Sequence, residues 1–123
     1  MPQRVTKAEL QLLEQMWKLG PASVREIQES LPESRRPAYT TVQTMIYRLE
    51  EKKAVRRIRK IGNALIFEAT VTRQAVHRRL IRELLDVFGG SAAPVVSHLI
   101  ETGDLSLADI REIERQFRKR GEV

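Results

Sequence analysis

The sequence predicts a mainly α-helical fold: a helix-turn-helix that carries a β-hairpin wing, followed by a helical dimerisation module. Three observations favour this class. Helix-start signals recur along the chain, each with Ser or Thr three residues before Glu, Gln or Asp. The stretch 38–52 combines an apolar stripe with a polar opposite face. Two strand-like runs follow it and flank a Gly-Asn pair, which is typical of a hairpin turn.

The first predicted helix begins with a capping box of Thr6 and Glu9 and runs to about Leu19. Gly20 and the proline after it end the helix. Trp17 lies on the apolar stripe, and we therefore expect it to anchor the core rather than to bind a ligand.

A second capping box, of Ser23 and Glu26, predicts a short helix to about Leu31, which Pro32 ends. The connection of residues 32–37 contains two arginines and leads into the next helix. Two short helices joined by a brief turn are typical of a helix-turn-helix.

The stretch 38–52 predicts the second helix of that motif. Thr40 and Gln43 have the spacing of a capping box at its start. Taken alone, this stretch could also be an ordinary surface helix. The apolar stripe of the stretch consists of Val42, Met45, Ile46 and Leu49. Its polar face, which can hydrogen-bond to base edges and phosphates, consists of Thr41, Gln43, Thr44, Tyr47 and Arg48.

A run of basic residues and a predicted hairpin come next. Residues 52–60 hold six Lys and Arg and no acid. The runs 54–61 and 64–69 are rich in Val, Ile, Leu and Phe, with Gly62 and Asn63 between them. We expect a two-stranded wing with Arg59 and Lys60 near its tip.

Three amphipathic helices are predicted after the wing. Thr72 caps the first, to about Phe88; Ser91 starts the second; Ser106 and Asp109 begin the third, which runs to about Lys119. We place the domain boundary between residues 71 and 72, and interpret 72–123 as a homodimerisation domain because so short a stretch forms a marginal core. A helical layer folded back on the same chain is the alternative. The predicted dimerisation residues are Leu80, Leu84, Phe88, Val96, Leu99, Ile110, Ile113 and Phe117.

The charge indicates a polyanionic partner. The formal net charge is +6, and residues 1–71 hold 13 Lys and Arg against 8 Asp and Glu. Double-stranded DNA is the first candidate and an anionic membrane the second. The chain has no cysteine, which excludes intrachain disulfides and thiolate metal sites. With two separated histidines and no catalytic motif, we expect no enzyme activity, cofactor or metal, and a cytoplasmic location.

Several stretches resemble the penicillinase repressor family of bacterial winged-helix regulators (the BlaI/MecI/CopY group). They are TKAELQLLEQMW at 6–17, YTTVQTMIYRLEEK at 39–52, the wing glycine at 62, FGG at 88–90 and DLSLADIREI at 104–113. The resemblance implies a dimeric repressor that binds dyad-symmetric operators. The groove-facing and wing residues that it implies are Thr40, Thr41, Gln43, Thr44, Arg48, Arg59, Lys60 and Asn63.

The sequence departs from the family pattern at specific places. Lys53 replaces the usual glycine after the recognition helix, and Asn63 replaces the wing arginine. Ser97 and His98 stand where the family's β-lactam responders have a cleavable Asn-Phe pair. The C-terminal cysteines of the copper-responsive branch are absent.

From these features we expect a homodimeric, sequence-specific transcriptional repressor acting on a dyad operator. Two alternatives stay open: a winged-helix protein-interaction module with an acidic partner, and an anionic-membrane binder that uses the arginine-rich helix. Specificity is assigned to the threonines and Gln43. The residues expected to contact phosphate are Arg35, Arg36, Arg48, Lys52 and the wing.

Overall fold

The computed structural model describes residues 4–121. The chain forms two compact units, the first ending at His77 and the second beginning at Arg78. The predicted boundary between residues 71 and 72 stays a prediction. The helices are α1 (Lys7–Leu19), α2 (Val24–Ser30), α3 (Tyr39–Glu51), α4 (Arg73–Val87), α5 (Ala92–Thr102) and α6 (Leu107–Lys119), with a 3-10 turn at Glu33–Arg35. The strands are β1 (Ala22–Ser23), β2 (Val55–Ile61) and β3 (Ala64–Ala69).

Three of the predicted capping boxes are confirmed. In each, the backbone N–H of the acidic residue donates to the hydroxyl, and the backbone N–H of the hydroxyl residue donates to the carboxylate. These reciprocal bonds satisfy donors that a helix start leaves unpaired. Thr72 also acts as predicted, because its Oγ1 accepts the Ala75 N–H at 3.1 Å. The three boxes are Thr6 with Glu9, Ser23 with Glu26, and Ser106 with Asp109.

The predicted capping box at the start of α3 is wrong. The N-cap is Ala38, which makes no side-chain cap bond, so Thr40 already lies inside the helix. The side chain of Gln28 donates to the Pro37 carbonyl at 3.0 Å and ties the chain entering α3 to α2. This tertiary contact holds the residue before the N-cap, and the Thr40–Gln43 spacing does not reveal it.

The wing belongs to a three-stranded antiparallel sheet of order β1-β3-β2. The hairpin is confirmed, with Ile61 paired to Ala64 across a turn in which Gly62 has φ +60°. The pairing of Ala22 with Phe67 adds β1, which the sequence did not predict. A bulge lies between Arg57 and Arg59 in β2.

The core of the first unit is packed between α1, α2, α3 and the sheet. The apolar stripe of α3 is confirmed for Val42, Ile46 and Leu49, which are fully buried, whereas Met45 is half-buried. Trp17, which we expected to anchor the core, is half-buried, and its Nε1 donates to the carbonyl of Val71, two residues after the end of β3, at 2.9 Å. The largest fully buried side chains are Phe67, Leu12, Leu13, Met16, Ile27, Ile46, Leu49 and Val42.

The second unit buries less of its apolar surface than the first. Neither α5 nor α6 contains a buried residue, although both helices carry apolar stripes. Val87 is 80% exposed and Leu107 is 66% exposed. Gly103 ends α5 in the left-handed conformation predicted for a helix C-cap. The second unit therefore leaves apolar side chains exposed within the part of the chain that the structure describes.

Candidate nucleic-acid interface

The outer face of α3 is polar and accessible. Burial of Val42, Ile46 and Leu49 fixes the helix on the core, and the 3.6-residue period then turns Thr41, Arg48 and their neighbours outward. The exposed side chains that were predicted to face the DNA groove are Thr40, Thr41, Thr44 and Arg48. The structure brings these predicted residues together on one side of one helix.

Two polar side chains of α3, Thr44 and Gln43, already have hydrogen-bond partners within the helix. Thr44 donates its hydroxyl proton to the Thr40 carbonyl at 2.9 Å, which leaves its oxygen lone pairs free to accept. The half-buried Gln43 donates from Nε2 to the hydroxyl of Tyr47 at 3.2 Å. These bonds orient both groups before any ligand arrives.

A groove of about 420 Å³ lies between the start of α3 and the wing. Sequence reasoning did not assign Arg25 and Tyr39, which both line it. The Arg25 guanidinium lies over the Tyr39 ring, 5.6 Å from its centroid. Helical periodicity in α2 places Arg25 outward, but only the tertiary packing of α2 beside α3 shows that it faces this groove. The lining residues are Ser23, Val24, Arg25, Tyr39, Gln43, Tyr47, Ile61, Asn63, Ala64 and Leu65.

The basic run after α3 is less available than its sequence indicates, because three of its six cations are paired with carboxylates. Lys53, Arg59 and Lys60 make no ion pair with any residue in the 4–121 range. The positive charge accessible on the wing is therefore that of Arg59 and Lys60. The three ion pairs are Lys52 with Glu9, Arg56 with Glu68, and Arg57 with Glu50.

Lys52, which we expected to contact phosphate, instead bonds to other groups of the protein. Its Nζ donates to Glu9 Oε1 at 2.5 Å and to the Arg4 carbonyl at 2.7 Å. Burial alone would raise the pKa of Glu9, but the hydrogen bonds from Lys52 and Thr6 outweigh it and hold that pKa below its ordinary value. The ammonium group is occupied by these two bonds within the protein, and Lys52 is therefore not counted among the cations available to DNA.

The two arginines before α3 have different environments. Arg36 donates from Nη2 to the carbonyls of Glu29 at 2.8 Å and Leu31 at 3.0 Å, and so caps the end of α2. Its side chain stays exposed at the surface. Arg35 is exposed and makes no ion pair with the residues that the structure describes. Asn63 is exposed at the wing tip, in the turn of the hairpin.

The eight predicted dimerisation residues all lie in the second unit, which α4 enters at Arg78. Four of these residues are half-buried and four are exposed. The half-buried members are Leu80, Phe88, Ile110 and Phe117, and the exposed members are Leu84, Val96, Leu99 and Ile113.

The two histidines have different neighbours. His77 Nε2 lies 3.3 Å from Glu14 Oε1, and the ring of His98 lies 6.4 Å from that of Phe88. Residues 4–121 contain no group of three His, Cys, Asp or Glu side chains arranged to hold a metal ion. In the same range, no helix has the length and apolar character that crossing a bilayer requires.

A helix-turn-helix with a hairpin wing and an exposed polar second helix defines the winged-helix class of fold. The model of the family described as penicillinase repressor matches residues 5–119. The chain therefore belongs to the penicillinase repressor family, which confirms the resemblance. This family consists of DNA-binding regulators and not of enzymes.

Solved structures share the fold at low identity. A cysteine-to-serine mutant of MarR from E. coli, complexed with operator DNA, is 15% identical with a TM-score of 0.54, covering 94% of this chain and 74% of that one. YusO from Bacillus subtilis is 21% identical with a TM-score of 0.53, covering 97% and 76%. These similarities extend over both units of the chain. No curated protein matches the sequence.

Proposed function

We propose that the protein is a homodimeric, sequence-specific transcriptional repressor that binds a dyad-symmetric DNA operator. The observation that carries the proposal is the exposed polar face of α3, which lies beside a wing with two exposed cations, Arg59 and Lys60, that make no ion pair within residues 4–121. The family supports this assignment, and a MarR structure of the same fold holds operator DNA.

Sequence readout is assigned to the outer face of α3. Hydroxyl and amide groups match the donor and acceptor patterns that base pairs present in the major groove, and reading them requires no buried charge. An α-helix of this diameter fits that groove. The residues that we assign to base contacts are Thr40, Thr41, Gln43 and Thr44.

Affinity is assigned to cations around that face. Arginine and lysine contacts to phosphates release counterions, so binding should weaken steeply as salt rises. Arg25, which lines the groove between α3 and the wing, joins this group. The other residues assigned to the DNA backbone are Arg35, Arg36, Arg48, Arg59, Lys60 and Asn63.

Dimerisation is assigned to the second unit. Ile81, Leu84 and Val87 lie exposed on α4, and α5 and α6 add further exposed apolar residues. Monomeric soluble proteins rarely expose contiguous apolar patches larger than a few hundred Å². A second copy of the chain offers the same apolar surface and buries both on pairing.

Two-fold symmetry then sets the form of the operator. Two α3 helices related by a dyad enter successive major grooves, and half-site centres should be separated by about 10 bp or a multiple. A dimer bound across a promoter blocks transcription without any further activity.

DNase footprinting on the DNA upstream of the protein's own gene, with salt varied, tests the proposal. We expect a protected dyad whose half-sites lie on one face of the duplex. Diffuse protection that disappears with modest salt would contradict sequence-specific repression and would favour an acidic protein partner. Sedimentation of the same sample as a monomer at micromolar concentration would contradict the homodimer.

A further inference from the structure

The amide of Gln43 is not a free side chain on the surface of α3. Its Nε2 donates to Tyr47 Oη at 3.2 Å, one helical turn along the same face. Both residues are half-buried and line the groove between α3 and the wing. This hydrogen bond restricts the rotation of the Gln43 amide about its last side-chain torsion.

Tyr47 is itself held from the wing side. Its ring centroid lies 6.3 Å from that of Phe67, a fully buried residue of β3. The Arg57 guanidinium of β2 lies over the same tyrosine ring, 5.6 Å from its centroid. The tyrosine ring therefore has side-chain neighbours on both wing strands.

Arg57 is in turn fixed by Glu50 of α3. It donates from Nε and Nη2 to the two carboxylate oxygens of Glu50, at 2.7 and 2.9 Å. Such bidentate pairs define the orientation of the guanidinium plane. The side-chain hydrogen bond from Arg57 lowers the pKa of Glu50 below its ordinary value, and Glu50 therefore stays charged at neutral pH.

We propose that Tyr47 is a positioning residue that orients the Gln43 amide to read an adenine in the major groove. The inference rests on the proposed function, because it requires α3 to lie in that groove. In this arrangement the wing strands serve specificity as well as phosphate binding: Glu50 holds Arg57, Arg57 holds Tyr47, and Tyr47 holds Gln43.

The chemistry of the amide selects the base. Gln43 uses one amide hydrogen on Tyr47, and its second N–H and its carbonyl oxygen have no partner among residues 4–121. These two groups form one donor and one acceptor side by side. Adenine presents the complementary pair, an N7 acceptor and an N6 donor, and glutamine binds it in this bidentate way. Prior orientation by Tyr47 reduces the conformational entropy lost on binding.

The test measures base preference by sequencing duplexes that the protein selects from a library with a randomised centre. Gln43→Ala first locates the base pair that Gln43 reads, as the position where preference is lost. We expect adenine to be preferred there by the wild-type protein. Tyr47→Phe, which keeps the ring and removes only the hydroxyl, should reduce that preference roughly tenfold.

Two controls separate positioning from a structural effect. Tyr39→Phe removes a hydroxyl from the same helix and the same groove, and it should leave the preference at this base pair unchanged. The melting temperature and the affinity of Tyr47→Phe for DNA of unrelated sequence should match those of the wild-type protein. A loss of packing would change these two quantities and would not be confined to one base pair.

A double-mutant cycle identifies the route of the effect. If Tyr47 acts through Gln43, adding Tyr47→Phe to Gln43→Ala changes nothing further at that base pair. Additive effects would overturn the inference, because Tyr47 would then contact DNA directly.

The remaining outcomes are also decisive. A wild-type preference that survives Tyr47→Phe, or a preference for a base other than adenine at the Gln43 position, overturns this inference alone. A wild-type protein with no sequence preference overturns the proposed function and the inference together.

Discussion

Lys52 Nζ lies 2.5 Å from Glu9 Oε1, and this ion pair joins the end of α3 to the first turn of α1. The two side chains are only 13% and 4% exposed. Glu9 also completes the capping box with Thr6, so one carboxylate serves both helices. The position of α3 on the core therefore depends on a nearly buried pair of charges.

Replacing Lys52 with Met should lower the free energy of unfolding by about 3 kcal/mol, because the Glu9 carboxylate then stays buried without its counter-charge. Urea unfolding at pH 7 measures this loss. The double variant Glu9→Gln with Lys52→Met should recover most of it, because no charge stays buried. Lys53→Met, at the exposed neighbouring lysine, is the matched control and should change stability little. A loss of similar size in that control would contradict the assignment.

The same pair makes stability depend on pH. The pKa of Glu9 in the folded protein lies below its ordinary value of 4.5, so the stabilisation is fully present above that pH. It should be lost as the pH falls through the lowered pKa, when Glu9 binds a proton. Comparing urea unfolding of the wild-type protein and Glu9→Gln isolates this contribution, because other acids titrate in both. A difference between the two that stays constant from pH 7 down to acid would contradict it.

Local hydrogen-bond chemistry was predictable from the sequence. The capping boxes at Thr6, Ser23 and Ser106 use groups three residues apart, and the hairpin turn at Gly62 needs only its own backbone freedom. Each signal lies within a few residues of the structure that it specifies. The family resemblance then indicated which residues of these elements face DNA.

Tertiary contacts were not predictable in the same way. The side chain of Gln28 in α2 bonds to the Pro37 carbonyl just before α3, a contact between two segments, and the two-residue β1 is too short to show any periodicity. The basic run gave no sign that Lys52 is held by Glu9, 43 residues earlier. For the same reason the sequence did not reveal that Arg25 lines the groove.

Lys53 provides a test of backbone strain. It has φ +66° and is the one residue other than glycine with a positive φ among those that the structure describes. A side chain in this left-handed region costs about 1 kcal/mol relative to glycine. Lys53→Gly should therefore stabilise the protein by roughly 0.5 kcal/mol in urea unfolding, because the entropy that glycine adds to the unfolded chain offsets part of the relieved strain. Lys53→Ala removes the same charge but keeps Cβ, and an equal gain in that variant would refute strain as the cause.

The wing cations should differ in their effect on DNA binding. Lys60 has no ion-pair partner in the described chain, and Lys60→Ala should weaken binding to all DNA about equally and reduce the salt slope by about 1. Arg56 lies on the same strand, but its Nη2 is 2.8 Å from Glu68 Oε2. Arg56→Ala should have a smaller effect on the slope. Fluorescence anisotropy over a salt series measures the slope of each variant. Equal slopes would show that the ion pair with Glu68 does not keep Arg56 from contacting phosphate.

The dimer assignment can be tested with two leucines of equal exposure. Leu84 on α4 is 46% exposed and Leu19 at the end of α1 is 45% exposed, but only Leu84 belongs to the proposed dimer surface. Leu84→Glu places a charge from each copy in an apolar interface and should raise the dissociation constant of the dimer roughly 30-fold or more. Sedimentation velocity over a concentration series measures this constant, and Leu19→Glu should leave it unchanged.

Because paired half-sites need a dimer, Leu84→Glu should also weaken operator binding while the winged-helix unit keeps its fold. Dimers that withstand Leu84→Glu would place the interface on another surface.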